Sequence, residues 1–360
     1  MKTLALVTAG FGRPEVSEIE QREAAGEQPR TLLFEKTVGA DLLDRRYLSH
    51  APLWRRAIYR VLPITIAQVL EAFVVRKKYE AVISWAENLG LPFAFLLRIT
   101  GGRTPHVAIY SWISRGKKPA LLRFVHPSID RLLLMSSVQR EFALQRIGIP
   151  ERRVPLLGWP VDTQFWHPMD VRDDMICAVG REMRDYGSLV EALRGLNIPC
   201  HIAAWAVPWK KDPWVKDLEK TGPLPEGLTI GRKVYFELRE LYARSRFLVM
   251  PLLPTDTDNG STSILEAMAM AKPVICARTQ GQVDIVREGE TGFYVPPGDV
   301  RAWRDAITTL WNDPDRARAM GLRAREWVEK HHRLEDWLAA VKQNTLEAVT
   351  ERKRNHEHAL

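Results

Sequence analysis

The sequence predicts an α/β protein made of two successive doubly wound domains that face each other across a cleft. Three observations predict it. Short apolar runs alternate with amphipathic segments along all 360 residues, the pattern of buried parallel strands joined by crossover helices. The alternation breaks once, at GWPVDTQFWHPMDVRDD, where two prolines and acidic side chains mark a linker. The length suits two domains of ordinary size. In such sheets ligands bind at the carboxyl ends of strands, so the cleft is the expected site.

The elements follow in order. TLALVT reads as a buried strand and PEVSEIEQREAAGE as a helix ending at Gly26. RTLLFE reads as a strand, 52–76 as helix, EAVISW as a strand, and LPFAFLLRIT as a helix closed by Gly101 and Gly102. PHVAIY and RLLLMS are strands, followed by helix 137–147 and strand RVPLLG. After the linker come strands DMICAVG, IPCHIAAW, GLTIG, RFLVMP, KPVICA and GFYV, then helices at 299–312, 314–331 and 333–350. This places one domain at 1–166, with 333–360 crossing back to it, and the other at 167–332.

An apolar fraction of 46% supports a large core, and a charged fraction of 27% is not that of a disordered chain. Cys177, Cys200 and Cys276 are too few and too scattered for a disulfide scaffold or a zinc site. The run Leu4 to Val7 is too short for a signal-peptide core. VLPITIAQVLEAFVV is interrupted by Pro63, Gln68 and Glu71 and is too short to span a bilayer. The expectation is a cytoplasmic protein, at most peripheral on the inner face of a membrane. Residues 1–166 carry 24 Lys and Arg against 15 Asp and Glu; the remainder carries 28 against 29. The first half is therefore the basic one, which suits an acidic partner. No ribonucleoprotein motif or zinc spacing supports nucleic acid.

Three stretches carry chemistry. In PTDTDNGSTSILEAMAMA a strand leads to Asp256 and Asp258, then to Ser261, Thr262 and Ser263 where a helix begins. A Ser or Thr there would cap the helix, and its first N–H groups would hold a diphosphate, with Gly260 allowing close approach. Glu266 is the one carboxylate on an otherwise apolar helix, costly to bury without partners and able to accept both hydroxyls of a ribose. Asp256-Thr257-Asp258 reads as a metal clamp, or Asp258 belongs with Glu266 in a metal-free site. In CAVGREMRDYGSL, Arg181 and Arg184 follow a strand ending at Gly180 and suit a diphosphate. In TIGRKVYFELREL, backbone groups at Val234 could meet a nucleobase edge.

Together and in this order these stretches resemble the retaining glycosyltransferases of family four, which have the GT-B fold of two facing Rossmann-like domains. The resemblance is densest from AVGRE to FYVPPGD and includes ILEAMAMAKPVI, DIVREGETGFYVPPGD and the linker-like GWPVDTQFWHP. It implies an acceptor-binding first domain and a second domain that binds a nucleotide-sugar. It implies retaining transfer of a hexose to a glycan or lipid-linked acceptor, without a metal or other cofactor. The family's Glu-x7-Glu becomes Asp258-x7-Glu266, with Asp258 orienting the sugar and Glu266 on the ribose. Its phosphate-binding Gly-Arg and Lys-Gly become Gly180-Arg181 and Tyr186-Gly187, so the Lys is missing, leaving Arg184 or Arg278 to supply the second charge. Gly10 and Gly12 match the glycine loop near acceptor and phosphates. Ser111 and Trp112 stand where the family often has a His, and His106 reads as a packed residue. Competing readings are a GT-B sugar-nucleotide epimerase and a nucleotide-sugar-binding protein without transfer.

In APLWRRAIYRVLP, residues Leu53, Trp54, Ala57, Ile58, Val61 and Leu62 share a helical face flanked by Arg55, Arg56 and Arg60. The favoured expectation turns this face to the core; the other lays it on an anionic membrane.

Overall fold

Both sheets are parallel throughout, as continuous apolar runs with no in–out alternation require. The computed structural model describes residues 1–8, 13–204 and 213–357. The chain divides into two compact units, one of residues 1–21, 31–158 and 335 onward, the other of 22–30 and 159–334.

The first unit holds β1 (Thr3–Leu6), α2 (Leu33–Val38), β2 (Ala40–Leu43), α3 (Arg45–Ser49), α4 (Leu53–Val61), α5 (Ile64–Val75), β3 (Ala81–Trp85), α6 (Glu87–Thr100), β4 (His106–Tyr110), α7 (Lys118–Val125), β5 (Arg131–Leu134) and α8 (Ser137–Phe142). Helix α1 (Val16–Ala24) precedes α2, and α15 (Leu334–Glu357) ends the described chain. The strand order is β2-β1-β3-β4-β5, which reverses between β1 and β3 and so opens a crevice outside their carboxyl ends.

The second unit holds β6 (Met175–Val179), α9 (Tyr186–Leu193), β7 (Cys200–Ala203), α10 (Pro213–Lys220), β8 (Leu228–Gly231), α11 (Tyr235–Arg244), β9 (Ser245–Met250), α12 (Ser261–Ala269), β10 (Val274–Ala277), β11 (Gly292–Val295), α13 (Val300–Asn312) and α14 (Pro314–His331). Its order is β11-β10-β9-β6-β7-β8. Counted within the unit this is the 3-2-1-4-5-6 order of a Rossmann sheet, whose switch point lies between β6 and β9. The core around it is aromatic, with Trp166, Tyr186, Tyr242, Phe247 and Trp303 buried. Cys177, Cys200 and Cys276 are free and buried on β6, β7 and β10.

Four expectations are corrected. RTLLFE is not a strand: its second half enters α2, which ends on Gly39 at φ 67°, and β2 follows at ADLL. Gly39 takes the left-handed cap that other residues disfavour, and its N–H closes the helix onto Glu35. RVPLLG contributes a single bridge, Leu134 to Leu156, and no strand. The helix over 52–76 is two helices, because Pro63 forces Leu62 into extended backbone at φ −98°, ψ 149°. The apolar face of α4 is not in the core either. None of its residues is buried, and Leu53, Trp54, Ile58 and Val61 are 75, 65, 46 and 81% exposed. The cause is Glu71 on α5, buried, which draws in the opposite face: Tyr59 donates to it at 2.7 Å and Arg55 pairs with it at 3.4 Å.

Helix α15 is fixed inside the first unit by rings and ions. Trp337 lies 5.2 Å from Trp85 and 6.5 Å from Phe34, and its indole donates to the Gly158 carbonyl at 2.9 Å. Arg131, buried at the start of β5, pairs with Glu351 at 2.6 Å. Among the described residues no helix is long and apolar enough to cross a membrane. Because Trp337 is a buried ring, Trp337→Ala is expected to cost about 3–5 kcal/mol. A lowered guanidinium midpoint with an unchanged slope checks this.

Candidate functional site

The site is built at the switch point of the second sheet. Strand β6 ends at Gly180, which holds φ 96°, and the chain turns so that Arg184 folds back under it. The Arg184 guanidinium donates to the carbonyls of Val179 at 3.0 Å and Glu182 at 2.6 Å. Its residue bridges to Leu252, just past β9. A methyl on Gly180 would sit 2.4 Å from Arg184 Nη2, and one on Gly260 3.4 Å from it. The two glycines thus admit the guanidinium between the ends of β6 and β9. Arg184 is buried, and among the described residues no carboxylate lies within ion-pair distance. Desolvation pulls its basicity down.

Tyr186, where the resembling family has Lys, is wholly buried. Its hydroxyl donates to the Gly180 carbonyl and its ring meets Trp214 edge-on at 5.7 Å. It brings no charge. Arg181 is partly exposed beside Gly180. Arg278, at the carboxyl end of β10, is exposed and stacks over Tyr294 at 5.3 Å.

Helix α12 starts differently from expectation. Gly260 is its N-cap, at φ 87°, and no side chain caps it. A Cβ there would lie 2.9 Å from Met250 Sδ, so a Ser or Thr cap has no room. Ser261 is instead the first helical residue. Its hydroxyl, buried, donates to the Asp258 carbonyl at 2.7 Å and accepts from Gln282 Nε2 at 3.1 Å. The N–H groups of Thr262 and Ser263 meet no acceptor among the described residues, so the positive helix start stays open. Thr262 is exposed and Ser263 half-buried.

The two carboxylates flank this start and share no hydrogen bond. Asp258 is buried, accepting from the Trp159 indole at Oδ2 and from the Thr257 hydroxyl at Oδ1, 3.2 Å. Burial raises its carboxyl, with Asp284 adding to the rise and the Trp159 bond opposing it. Glu266 accepts from the Tyr242 hydroxyl at 3.0 Å and keeps only an edge exposed; burial pushes its carboxyl up to about 8. Asp256 is half-buried in the loop. Among the described residues no three His, Cys, Asp or Glu side chains come together as metal ligands.

The other expected residues each have their own setting. Val234 caps α11: its N–H is donated to Glu237 at 3.0 Å, and its carbonyl accepts from Leu238 at 2.8 Å, keeping one lone pair. In the first unit, Ser111 and Trp112 follow β4, and both backbone N–H groups donate to buried Glu87, at 2.9 and 2.5 Å. His106 is a packed residue: wholly buried, bonded to Ser84 at 2.8 Å, and held near pKa 3 by desolvation. Gly10 and Gly12 lie outside the described residues. Sequence reasoning missed Trp159, Tyr242 and Gln282. Gln282, buried, also donates to the Asn259 carbonyl at 3.0 Å and ties down the loop before α12.

Comparison with known proteins bears on the family and the fold. Residues 187–313 match the family described as glycosyl transferases group 1. The sulfoquinovosyl transferase SQD2 of Arabidopsis thaliana is 35% identical over 132 residues, 36% of this chain and 24% of that protein. The chain spans between about a fifth and a half of the length of the curated relatives that it matches. Sucrose-phosphate synthase from Thermosynechococcus elongatus superposes with TM-score 0.74 at 17% identity, covering 98% of this chain and 100% of that one. HepE of Anabaena, solved with UDP-glucose, gives 0.67 at 16%, covering 98% and 100%. The fold is of the GT-B type, α/β with two parallel sheets. The match to the group 1 glycosyltransferases falls within the second unit, which spans residues 159–334.

The raised Glu266 carboxyl sets a pH dependence. Its folded pKa of about 8 exceeds the ordinary 4.5, so between those values the folded state binds the extra proton. Stability from this group is full below about 4.5 and is lost as pH rises toward 8. Glu266→Gln carries no ionisable group. It is expected to melt higher than the parent protein, by a margin that widens from acidic to alkaline pH. A margin constant with pH would refute the buried-carboxyl account.

Proposed function

We propose that the protein is a retaining, metal-independent glycosyltransferase that moves a hexose from a nucleotide-sugar to a glycan or lipid-linked acceptor. The observation that carries this is the buried Arg184 guanidinium, without a carboxylate partner, beside the open start of α12. A buried cation and free helix N–H groups make a site for a diphosphate. Arg184 then does the work of the absent lysine, with Arg181 at the rim. In this reading Glu266, once ionised, accepts the ribose hydroxyls, its position held by Tyr242. Asp258 orients the donor sugar. As the glycosidic bond breaks, Arg184 and the helix start stabilise the charge growing on the diphosphate. The departing phosphate oxygen takes the acceptor's proton as the acceptor oxygen bonds the anomeric carbon on the same face. HepE's complex with UDP-glucose supports a nucleotide-sugar as donor.

A thermal-shift screen of UDP-, GDP-, ADP- and TDP-sugars identifies the donor, since a bound ligand raises the melting temperature. With that donor, Arg184→Ala is expected to weaken nucleotide affinity by about tenfold or more. Asp258→Asn is expected to abolish transfer while sparing most nucleotide affinity. Transfer should persist in EDTA, and NMR should show the anomeric configuration retained. Binding without turnover of any donor would favour a nucleotide-sugar-binding protein instead, and loss of activity in EDTA restored by manganese would favour a metal clamp.

The acceptor reading extends to the membrane. Helix α4 turns Leu53, Trp54, Ile58 and Val61 outward with Arg60 exposed beside them. We assign this face to an anionic bilayer at the cytoplasmic side, where apolar burial and basic charge act together. The protein should float with vesicles of phosphatidylcholine and phosphatidylglycerol more than with phosphatidylcholine alone. Trp54→Ser together with Val61→Ser should abolish the difference; equal flotation throughout would remove the membrane from the proposal.

A further inference from the structure

We propose that Trp159 is a positioning residue for Asp258, setting the direction of its carboxylate from the point where the chain enters the second unit. This rests on the reading that Asp258 acts on the donor sugar. Trp159 is the first residue of that unit after 158. Its indole Nε1–H donates to Asp258 Oδ2. Its carbonyl accepts from His332 Nδ1 at 2.9 Å. Val161 N–H donates to the His332 carbonyl at 2.8 Å, and Leu334 N–H to the Val161 carbonyl at 3.1 Å. Segments 159–161 and 332–334, at an entry and an exit of the unit, are thereby stitched together, with Asp258 attached to the stitch.

The choice of an indole has a chemical consequence. It only donates and does not titrate, so it fixes Oδ2 as an acceptor and favours the ionised carboxylate. Pro160 restricts Trp159 to extended backbone, which limits where the ring points. With Thr257 on Oδ1, Asp258 keeps acceptor capacity on both oxygens for sugar hydroxyls. Among the described residues Asp284 is a charged group that acts on Asp258, and it acts in turn on His332.

The test uses the full chain with UDP-, GDP-, ADP- and TDP-glucose, following nucleotide release across the pH range for the parent protein, Trp159→Phe and Asp258→Asn. Trp159→Phe keeps the ring and loses the donor. It is expected to lower kcat by about tenfold or more, with nucleotide affinity within about twofold. Activity falls as Asp258 protonates, so losing the donor should move the acidic limb of the kcat profile to higher pH. Carbon-13 NMR of the Asp258 carboxyl, assigned by difference against Asp258→Asn, should show its titration moved the same way. His332→Gln, which loosens the Trp159 carbonyl, should give a smaller shift of the same sign. A merely structural Trp159 would lower the melting temperature and leave the limb and the titration in place, which would overturn the proposal. If Asp258→Asn releases nucleotide as fast as the parent protein, the reading of Asp258 fails; an unmoved carboxyl titration in Trp159→Phe refutes the positioning bond on its own.

Discussion

The second unit is organised around one buried cation. A guanidinium taken out of water without a carboxylate is costly, and hydrogen bonds to carbonyls offset only part of that cost. The local backbone serves its placement. Gly180 and Gly260 adopt positive φ; a side chain at Gly180 would collide with Arg184, and Tyr186 hydrogen-bonds back to the Gly180 carbonyl. The bridge from Arg184 to Leu252 links the loops after the two strands at the switch point. Such an arrangement is poor as a stability device, which is why the proposed function gives Arg184 an anion to meet.

The carboxylates follow the same logic with opposite sign. Glu266 and Asp258 are both raised by burial, and each has a neutral donor, Tyr242 or Trp159, in place of a cation. Asp258 and Arg184 are buried and Glu266 half-buried, and among the described residues no ion pair joins any of them. Perturbed groups converging at the carboxyl ends of parallel strands are the usual mark of a working site.

Much of this was legible in the sequence, and the failures are instructive. Strands buried on both faces announce themselves as apolar runs, so β3, β4, β6, β9 and β10 were readable. ADLL was not, because Asp41 interrupts it and RTLLFE beside it is more apolar; Gly39 decides which becomes helix. The carboxylates and Arg184 could be singled out because a charge among apolar residues or after a strand is visible locally. The Ser cap failed because the cap position takes φ 87° and faces Met250, a constraint invisible in the local run. The bond from Trp159 to Asp258 spans 99 residues and has no local signature. Helix α4 shows the same limit: its amphipathicity was plain, yet its direction was set by Glu71 on another helix.

The passage between residues 158 and 159 brings these threads together. On one side of that peptide the Gly158 carbonyl is held by the Trp337 indole, inside a ring cluster of the first unit. On the other side Trp159 spends its indole on Asp258 and its carbonyl on His332. Each tryptophan has one indole N–H and gives it to a target in its own unit. The two anchors differ in kind. The Trp337 bond ends on a backbone carbonyl and is backed by stacked rings, so it serves packing. The Trp159 bond ends on a carboxylate beside the open helix start, and its ring keeps some exposure. A residue needed only to fasten the chain would gain more from the first arrangement, since a neutral backbone carbonyl costs less to desolvate than a carboxylate. Directing the donor at an acid whose burial already works against ionisation makes sense if that ionised state is what the site requires.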